Sequence, residues 1–490
     1  ELNAQEVIIL GRVHKQLPFE IMTSKETREE IRLRYRYLDL RNTKVKDNII
    51  FRSQVIACLR EKMTELGFLE IQTPILCASS PEGARDYIVP SRKYKGRFYA
   101  LPQAPQQYKQ LLMVSGFDKY FQIAPCFRDE DARADRSPGE FYQLDFEMSF
   151  ATQEDVFRVG EEVLTTVFER FAPEGYAVTK APYPVLSYRQ AMLEFGTDKP
   201  DLRNPLRIMD VTAFFQKCTF GPFLKKTVRA IRVHAGMSKG FHEKLLSFAI
   251  SLGMGGLGYL EVAEDMSYRG PIDKFIPADC KQELAKLARL EPGDTIFFIA
   301  DQEERASYYA GQIRNELGSR LGLTEKNAFR FCYVNDFPMY ERDAQTKQIT
   351  FTHNPFSMPQ GGLQALKEQD PLTILAYQYD IVCNGVELSS GAVRNHDIAI
   401  MTEAFALAGY DRETLQEKFG ALYQAFQFGA PPHAGMAPGI DRMIMLLRGE
   451  ESIREVIAFP MNGNGQDLMC GAPGRVTQQQ LREAHIKVRE

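Results

Sequence analysis

A polar–apolar alternation within residues 127–150 constrains the fold of this chain most strongly. The segment reads FRDEDARADRSPGEFYQLDFEMSF, so an arginine ends an apolar run, a charged loop follows, and regular alternation then begins. Period-two alternation predicts a strand with one face packed on a core and one polar face. The apolar face would carry Tyr142, Leu144, Phe146, Met148 and Phe150, and the polar face Gln143, Asp145, Glu147 and Ser149. Acidic groups close to Arg128 and Glu130 indicate a functional site, although this stretch alone also fits a solvated hairpin.

The bulk composition is typical of a soluble globular protein with two or three domains. The chain has 490 residues, 25% of them charged, and a formal net charge of −4, so contact with a nucleic acid requires a local basic patch. The sequence has no apolar run of membrane-spanning length and no signal-peptide pattern, which predicts a cytoplasmic protein without membrane contact. Its eight scattered cysteines lack CxxC spacing, which argues against a zinc site and against a disulfide framework.

Changes in composition along the chain predict five parts. Residues 1–24 contain a strand-like apolar segment and are expected to be the remnant of an N-terminal domain. Residues 25–48 are densely charged and predict a hinge, either with a solvated helix face or in contact with an RNA backbone. Residues 49–205 and 331–490 are expected to form one core in two parts. The loop-rich DKPDLRNP then introduces residues 206–330, which predict an inserted α/β domain.

A second set of polar residues lies in residues 379–394, YDIVCNGVELSSGAVR. Its Asn-Gly pair favours a two-residue hairpin turn, because both residue types tolerate positive φ. Such a turn pairs Val382 with Glu387 and leaves Asp380 one diagonal step away on the same face. Two carboxylates this close repel each other unless a cation joins them, which indicates Mg²⁺ and hence substrate phosphates. Arg394 would reach this face only if the Ser-Ser-Gly run contains a bulge.

A third segment covers residues 429–449, GAPPHAGMAPGIDRMIMLLRG. Its small residues let the backbone approach a ligand, and a helix starting near Gly439 would carry Arg442 in its first turn. Free N–H groups at a helix start, with an arginine beside them, are suited to bind phosphate. Taken alone, the segment also fits a buried helix with a solvent-facing aspartate–arginine pair.

Together these segments resemble the signature motifs of class II aminoacyl-tRNA synthetases. The strand interrupted by Pro74 resembles the dimer-forming first motif, residues 127–147 the second, and residues 439–442 the third. The longer runs PEGARDY, LPQAPQQYKQLLM, CFRDEDARADR, NGVE and PPHAG resemble bacterial-type aspartyl-tRNA synthetases, and residues 206–330 are similar to their GAD-type insertion. The resemblance implies an α+β fold, an antiparallel sheet flanked by helices with an inserted α/β (GAD-like) domain. It also implies that only the tail of the N-terminal anticodon-binding OB-fold is present.

The resemblance implies a set of residues that surround aspartate. Within it, Asp145 would bind the α-ammonium, and Lys109 and Arg394 would pair with the side-chain carboxylate. A desolvated Arg394 facing a neutral amide would cost about 3–5 kcal/mol, so binding alone would reject asparagine. The full set is Glu82 (on a lid loop), Gln106, Lys109, Arg128, Asp145, His353 and Arg394.

The resemblance also implies an ATP site and a metal site. Asp380 and Glu387 would bind Mg²⁺, and Arg128, Arg442 and His353 would act in catalysis. The substrate carboxylate attacks the α-phosphorus of ATP, so cations that neutralise the meeting anions carry the chemistry. The implied ATP-binding residues are Arg128, Asp129, Glu130, Ser137, Glu387, Gly439, Ile440, Asp441 and Arg442.

Two departures from the family pattern affect these implied roles. His353 is followed by Asn354, where relatives usually have a second histidine. Ser137 stands where a glutamine often contacts ATP, and Gly139 is an extra residue in the same loop. The role of the second imidazole and the ATP contacts of this loop are therefore open.

The resulting prediction is ATP-dependent activation of L-aspartate to aspartyl-adenylate and transfer to the 3′ end of tRNA(Asp), with tRNA(Asn) left open as a second acceptor. A homodimer through the first motif is expected. The alternatives are an asparagine- or lysine-specific paralogue, an amino-acid ligase that uses no tRNA, an inactive RNA-binding relative and an ordinary structural module. An inactive relative would be expected to lose Arg128, Arg442, Asp380 or Glu387, and this chain has all four.

Overall fold

The alternating segment forms a strand of a large central sheet. The computed structural model describes residues 5–79, 84–130, 139–218 and 220–489. Their strands are β1 (Leu69–Glu70), β2 (Ile88–Pro90), β3 (Phe98–Ala100), β4 (Lys119–Arg128), β5 (Gly139–Ser149), β6 (Ala177–Val178), β7 (Val185–Ser187), β8 (Ile208–Asp210), β9 (Thr227–Val233), β10 (Gly258–Val262), β11 (Tyr268–Arg269), β12 (Thr295–Asp301), β13 (Ala328–Phe329), β14 (Phe331–Pro338), β15 (Tyr340–Arg342), β16 (Ile349–Phe351), β17 (Leu375–Cys383), β18 (Val386–Val393) and β19 (His433–Met436). Their helices are α1 (Glu29–Arg34), α2 (Arg36–Asp39), α3 (Thr43–Glu65), α4 (Gln106–Val114), α5 (Gln153–Phe171), α6 (Tyr188–Phe195), α7 (Thr212–Phe215), α8 (Lys239–Ser251), α9 (Lys281–Leu287), α10 (Glu303–Arg320), α11 (Gly362–Glu368), α12 (Ile398–Leu407), α13 (Arg412–Phe426), α14 (Ile440–Arg448) and α15 (Gln478–Glu483).

The central sheet has eight strands in the order β1-β4-β5-β19-β18-β17-β14-β7. All neighbours are antiparallel except β1 with β4 and β14 with β7. The short β1, which precedes Pro74, lies at one edge, as expected for a strand near a residue that cannot donate to a ladder. Strand β19 lies between β5 and β18, so residues 127–150, 379–394 and 429–449, which we call the three signature segments, meet in the middle of the sheet. The predicted α+β fold, an antiparallel sheet flanked by helices, is confirmed.

The two faces of β5 differ as the alternation predicts. Leu144, Phe146 and Met148 belong to a core cluster that also contains residues of α3, α5 and α14. On the other face, Asp145 and Glu147 are fully buried, so this face is polar and removed from solvent. The expectation for Phe150 is wrong: this residue follows the end of β5 at φ 55° and is 73% exposed, because the chain turns away from the sheet there.

The hairpin β17–β18 has the predicted turn, with Val382 paired with Glu387. Its bulge lies one residue earlier than expected, because Ile381 pairs with Ser389 and Leu388 is the extra residue. Asp380 therefore pairs with Ser390 instead of lying diagonal to Glu387 in a regular ladder. The bulge changes the parity of β18, so Glu387 and Arg394 both line one cavity.

A second sheet of five antiparallel strands, in the order β11-β10-β12-β9-β8, lies within residues 208–301. Its strands are apolar on both sides because both faces are covered. Ile296 and Phe298 of β12 pack in one cluster with α7 and α9, whereas Phe297 and Ile299 pack in another with α8 and α10. This sheet lies inside the predicted insertion, whose boundaries at 206 and 330 stay predictions.

The charged segment at 25–48 is more than a solvated face. Arg32 and Arg36 are nearly buried, and both hydrogen-bond to Asp39. Arg32 also forms a two-point ion pair with Glu455, at 2.7 and 2.9 Å, which ties this segment to the C-terminal part of the core. Burial raises the pKa of Asp39, but hydrogen bonds from Arg32 and Ser24 outweigh it and leave this pKa below its usual value. In the described ranges, the structure contains no helix with the length and apolar character to cross a bilayer.

Gly435 allows β19 to pack closely against β5 in the middle of the sheet. A Cβ atom at this position in β19 would collide with the carbonyl oxygen of Phe146 and with the Glu147 carboxylate. We expect Gly435→Ala to lower the free energy of unfolding by about 1–3 kcal/mol, measured by urea titration. Gly420→Ala in α13 is the matched control, because its Cβ meets nothing within 4 Å and should raise stability by at most about 1 kcal/mol. Equal stability of the two variants would contradict this account of the packing.

Candidate active site

A cavity of about 560 Å³ lies on the polar face of the central sheet. Most of the residues implied by the resemblance line it: Gln106, Lys109, Arg128, Glu130, Asp145, His353, Asp380, Glu387, Arg394, Gly439, Asp441 and Arg442. Asp129 is exposed just after β4, and Ile440, the first residue of α14, is buried in the core cluster. Neither residue lines the cavity. Glu82 and Ser137 lie outside the described residues.

Four buried charged side chains form one network, and three of them, Lys109, Asp145 and Arg394, line the cavity. Lys109 Nζ lies 2.6 Å from Asp145 Oδ1 and 3.5 Å from Glu147 Oε2. Arg394 donates from Nε and Nη2 to the two oxygens of Glu147, at 2.8 and 3.0 Å. We call Lys109, Asp145, Glu147 and Arg394 the charge quartet. Lys109 and Arg394, which the resemblance assigns to the side-chain carboxylate of aspartate, have partners within the protein, because two charges buried this deeply require them. Their pairing with a substrate carboxylate stays a prediction.

The pKa values of the two acids in the quartet shift in opposite directions. Burial raises the pKa of Asp145, and the Lys109 ammonium counteracts only part of this effect. Burial would also raise the pKa of Glu147, but the positive charges of Arg394 and Lys109 outweigh this effect and lower the pKa of Glu147 below its ordinary value. Burial would lower the pKa of Arg394, yet the neighbouring Glu147 carboxylate raises it. The Arg394–Glu147 pair is therefore ionised at neutral pH.

Five residues that line the cavity each have a buried polar atom without a hydrogen-bond partner among the described residues. Asp145 Oδ2 and Gln378 Oε1 are acceptors, Gln106 Nε2 and Arg128 Nε are donors, and the hydroxyl of Thr352 can act as either. An unpaired buried polar atom costs about 1–3 kcal/mol, so five around one cavity indicate a ligand that pairs with them. Acceptors and donors together match a zwitterion that has both an ammonium and a carboxylate.

Asn354, the departure from the family pattern, connects two of these residues. Its Nδ2 donates to Gln106 Oε1 at 3.5 Å, and its backbone oxygen accepts from Gln378 Nε2 at 3.0 Å. Its Oδ1 accepts from Phe356 N at 2.9 Å and closes a tight turn. Asn354 therefore orients both glutamines toward the cavity, a task that the sequence did not indicate. Burial lowers the pKa of the neighbouring His353, so this imidazole is neutral at pH 7.

The other end of the cavity carries the predicted carboxylate pair. Burial and the nearby Glu387 carboxylate both raise the pKa of Asp380 well above its ordinary value. Arg442 Nη1 donates to the backbone oxygen of Glu387 at 2.7 Å, and Lys199 Nζ lies 3.4 Å from Glu387 Oε2. Among the described residues, no cluster of three or more histidine, cysteine or acidic side chains has the geometry of a metal site. Two carboxylates suit a metal that takes its other ligands from water and substrate.

The third signature segment holds its helix by contacts behind the cavity. Gly439 N donates to Leu388 O at 2.7 Å, just before α14 begins. Asp441 accepts from Tyr142 N at 2.9 Å and pairs with Arg52 of α3. Asp441 thus ties α14 to β5 and α3 at the border of the cavity, and the guanidinium of Arg442 lies beside Glu387.

Several residues of the site were absent from the set implied by the resemblance. Glu147 does not line the cavity but accepts hydrogen bonds from Arg394, and it was detectable because it stands on the polar face of the alternating strand near Asp145. Gln378 gave no local signal, since it becomes a cavity residue only when β17 pairs with β18. Asp198 and Lys199 lie in a loop before the insertion and reach the cavity through tertiary packing. Phe141 lines the cavity below the Arg128 guanidinium, 4.9 Å from its ring centre.

His433 behind the quartet makes stability depend on pH. Burial lowers the pKa of His433 to about 4, against an ordinary value of about 6.5. Between these values the unfolded chain binds a proton that the folded protein excludes, so stability falls as the pH falls. We expect wild type to lose up to about 1.4 kcal/mol per pH unit more than His433→Gln in this window. Urea unfolding from pH 7 to 4.5 measures it, with His485→Gln at an exposed histidine as the control. Parallel pH profiles for wild type and His433→Gln would contradict this expectation.

Comparisons with known proteins agree with this geometry. Residues 28–463 match the family described as tRNA synthetases class II (D, K and N). The chain is 56% identical over 492 residues to the aspartate–tRNA ligase of Streptomyces coelicolor, covering 100% of this chain and 83% of that protein. It is also 56% identical over 479 residues to the aspartate–tRNA(Asp/Asn) ligase of Ehrlichia canis, covering 96% of this chain and 81% of that protein.

A solved structure supports the fold alone. The asparaginyl-tRNA synthetase from Pyrococcus horikoshii complexed with asparaginyl-adenylate matches with a TM-score of 0.51 at 16% identity, over 92% of this chain and 76% of that chain. Together with the family match and the two relatives, these findings show that the chain belongs to the class II tRNA synthetases of the D, K and N family, in the aspartate–tRNA ligase group.

Proposed function

We propose that this protein activates L-aspartate with ATP to aspartyl-adenylate and transfers the aspartyl group to the 3′ end of tRNA(Asp). The observation that carries the proposal is the set of five unpaired buried polar atoms on residues that line the cavity. The names of the relatives, aspartate–tRNA ligase and aspartate–tRNA(Asp/Asn) ligase, support the same reaction.

The polar atoms of the cavity match the groups of aspartate. The α-ammonium would donate to Asp145 Oδ2 and Gln378 Oε1, while the α-carboxylate would accept from Arg128 Nε. The hydrogen bonds to Glu147 use Nε and Nη2 of Arg394, which leaves Nη1 for the side-chain carboxylate of the substrate. Lys109 Nζ, held by Asp145, would donate to the same carboxylate.

Asparagine would be rejected by hydrogen-bond polarity, because the quartet itself has no net charge. Arginine and lysine can only donate hydrogen bonds, whereas the amide of asparagine presents a donor in place of one acceptor oxygen. One donor of the pocket would then face another donor in a buried setting. A site built in this way rejects an analogue without a separate editing step.

The cationic side chains near the phosphate end would serve the adenylation step. The aspartate carboxylate attacks the α-phosphorus of ATP, and pyrophosphate leaves, so two anions must approach and negative charge must spread. Arg128 would lie between the substrate carboxylate and the α-phosphate, and Arg442, held to the backbone of Glu387, would bind the triphosphate tail. The ring of Phe141 offers an apolar face for the adenine base. Preorganised charge of this kind lowers the barrier without covalent participation of the protein.

Asp380 and Glu387 would hold Mg²⁺. Both line the phosphate end of the cavity, and the pKa of Asp380 is raised first by burial and then by the nearby Glu387 carboxylate, so a cation between the two would stabilise both in the charged form. When bound, Mg²⁺ supplies charge neutralisation for the phosphates and for the departing pyrophosphate. The backbone of β17 and β18 fixes the distance between the two ligands.

A second acceptor and a second copy of the chain extend the proposal. The name of the Ehrlichia canis relative favours tRNA(Asn) as an additional acceptor.

A homodimer is supported by apolar side chains that are about half exposed at and after the edge strand β1: Leu69, Ile75 and Leu76. An edge strand followed by exposed apolar groups suits pairing with another copy. The cytoplasmic location stays a prediction.

Aspartate-dependent ATP–pyrophosphate exchange, without tRNA, tests the proposed reaction. We expect exchange with aspartate and none above background with asparagine or lysine. Arg394→Gln should lower kcat/KM for aspartate at least about 100-fold, because it removes a buried cation and leaves Glu147 with Lys109 as its remaining cationic partner in the quartet. Arg158→Gln, which changes an exposed arginine of α5, is the matched control and should exchange as wild type does.

Folding must be separated from function in this test. Thermal melting and ATP binding without amino acid report whether Arg394→Gln keeps its structure. Exchange with asparagine or lysine in place of aspartate would contradict the assigned substrate. A lack of exchange with all three amino acids, in wild-type protein that binds ATP, would contradict adenylation by this chain.

Sedimentation velocity tests the proposed homodimer. Leu76→Asp places a charge in the apolar group beyond β1 and should shift a dimer toward the monomer. Phe428→Asp is the control, because this residue is 84% exposed in another part of the fold. A wild-type monomer at micromolar concentration, or an equal shift in both variants, would contradict an interface at β1.

A further inference from the structure

Lys199 places a positive charge at the carboxylate pair from outside the signature motifs. Its Nζ lies 2.7 Å from Asp198 Oδ2 and 3.4 Å from Glu387 Oε2, and its side chain is 37% exposed. Lys199 lines the active-site cavity together with Asp380. None of the three signature segments contains this lysine, and the mechanism above assigns it no part.

A rigid loop holds this lysine in position. We call residues 196–206 the boundary loop, because they connect the core to the segment that carries the second sheet. Arg314 of α10, which is fully buried, donates to the backbone oxygens of Asp201, Asn204 and Leu206 at 2.7–3.0 Å. Asn204 in turn donates to the backbone oxygen of Arg314 at 2.9 Å. Three carbonyls bound by one guanidinium leave the loop little freedom.

The boundary loop also packs against the turn of the β17–β18 hairpin. A Cβ atom built on Gly385 would meet Asp201 Cβ at 3.4 Å and the backbone oxygen of Lys199 at 3.8 Å. The loop therefore lies in contact with the hairpin that carries Asp380 and Glu387. A lysine on a loop anchored at both the hairpin and α10 has a defined position, unlike a mobile surface lysine.

We propose that Lys199 is an internal counter-ion of the carboxylate pair: its ammonium group neutralises Glu387 before a metal–ATP complex binds, and the side chain then turns toward the phosphates while the loop backbone stays in place. The inference rests on the proposed binding of Mg²⁺ by Asp380 and Glu387. Asp380, Glu387 and Asp198 bring three carboxyl groups to this end, and Lys199 and Arg442 bring two cationic side chains. A free divalent ion that binds Glu387 is repelled by the positive charge of the lysine. An ion that arrives with ATP brings phosphate oxygens to which the lysine can bind.

The counter-ion role makes a prediction for free divalent cations. We expect Lys199→Met to bind Mn²⁺ in the absence of nucleotide at least about tenfold more tightly than wild type, because it removes a cation a few ångströms from the binding oxygens. Lys199→Arg keeps the charge and should stay within roughly twofold of wild type, as should Lys326→Met, which removes an exposed lysine from a neighbouring cavity. Electron paramagnetic resonance of free Mn²⁺ measures these affinities with the full chain.

A second set of titrations separates this inference from the metal site itself. Each protein is titrated with Mn²⁺ alone and with α,β-methylene-ATP present, and Glu387→Gln is included. Thermal melting verifies that every variant is folded. Loss of nucleotide-dependent Mn²⁺ binding in Glu387→Gln, with tighter free binding in Lys199→Met, supports both proposals.

Other outcomes overturn one or both of them. If Glu387→Gln loses Mn²⁺ but Lys199→Met binds it as wild type does, the counter-ion role is wrong and the metal site stands. If Glu387→Gln binds Mn²⁺ as wild type does under both conditions, the metal lies elsewhere and both proposals fall.

Discussion

The charge quartet on the polar face of the central sheet is the interaction on which the rest of the site depends. Asp145 and Glu147 are adjacent to the apolar core of β5 and have no exposure to solvent, so their charges require Lys109 and Arg394. These partners come from α4 and from the end of β18, which pins both elements against β5. The network is neutral as a whole, and it leaves defined donor and acceptor atoms that point into the cavity. Specificity then follows from the direction of hydrogen bonds more than from net charge.

Close packing and internal pairing of charges also organise the phosphate end. Glu387 and Arg394 are seven positions apart, so they would face opposite sides of a regular strand, and the bulge at Leu388 brings them to one cavity. Gly435 lets β19 approach β5 closely enough for Arg394 and Glu147 to meet. Arg442 and Lys199 approach Glu387 from different parts of the chain, so the carboxylate pair is surrounded by cations on fixed backbone. A substrate that carries several negative charges finds a site whose charges need little rearrangement.

The sequence predicted the elements of this site better than their partnerships. Alternation in β5, the Asn-Gly turn and the start of α14 are local signals, and the structure has them where they were expected. The pairing of Arg394 with Glu147 was not predicted, since it joins residues 247 positions apart. Asn354 was read as a departure from a pattern, and only the fold shows that it orients Gln106 and Gln378. Phe150 was expected on the apolar face of β5 but is exposed, because the strand ends at Ser149 and Phe150 has a positive φ.

The sequence by itself determined the fold class, the family and the chemical character of the site. Periodicity, turn residues and the order of motifs are properties of neighbouring residues, so they can be read without coordinates. The tertiary structure decided which charges are paired, which polar atoms are left for a ligand, and which outside residue, Lys199, reaches the carboxylate pair. These outcomes depend on burial and on contacts between distant segments, where the cost of desolvation selects one partner over another. Packing of the folded chain therefore determines which of the charged residues form a binding site.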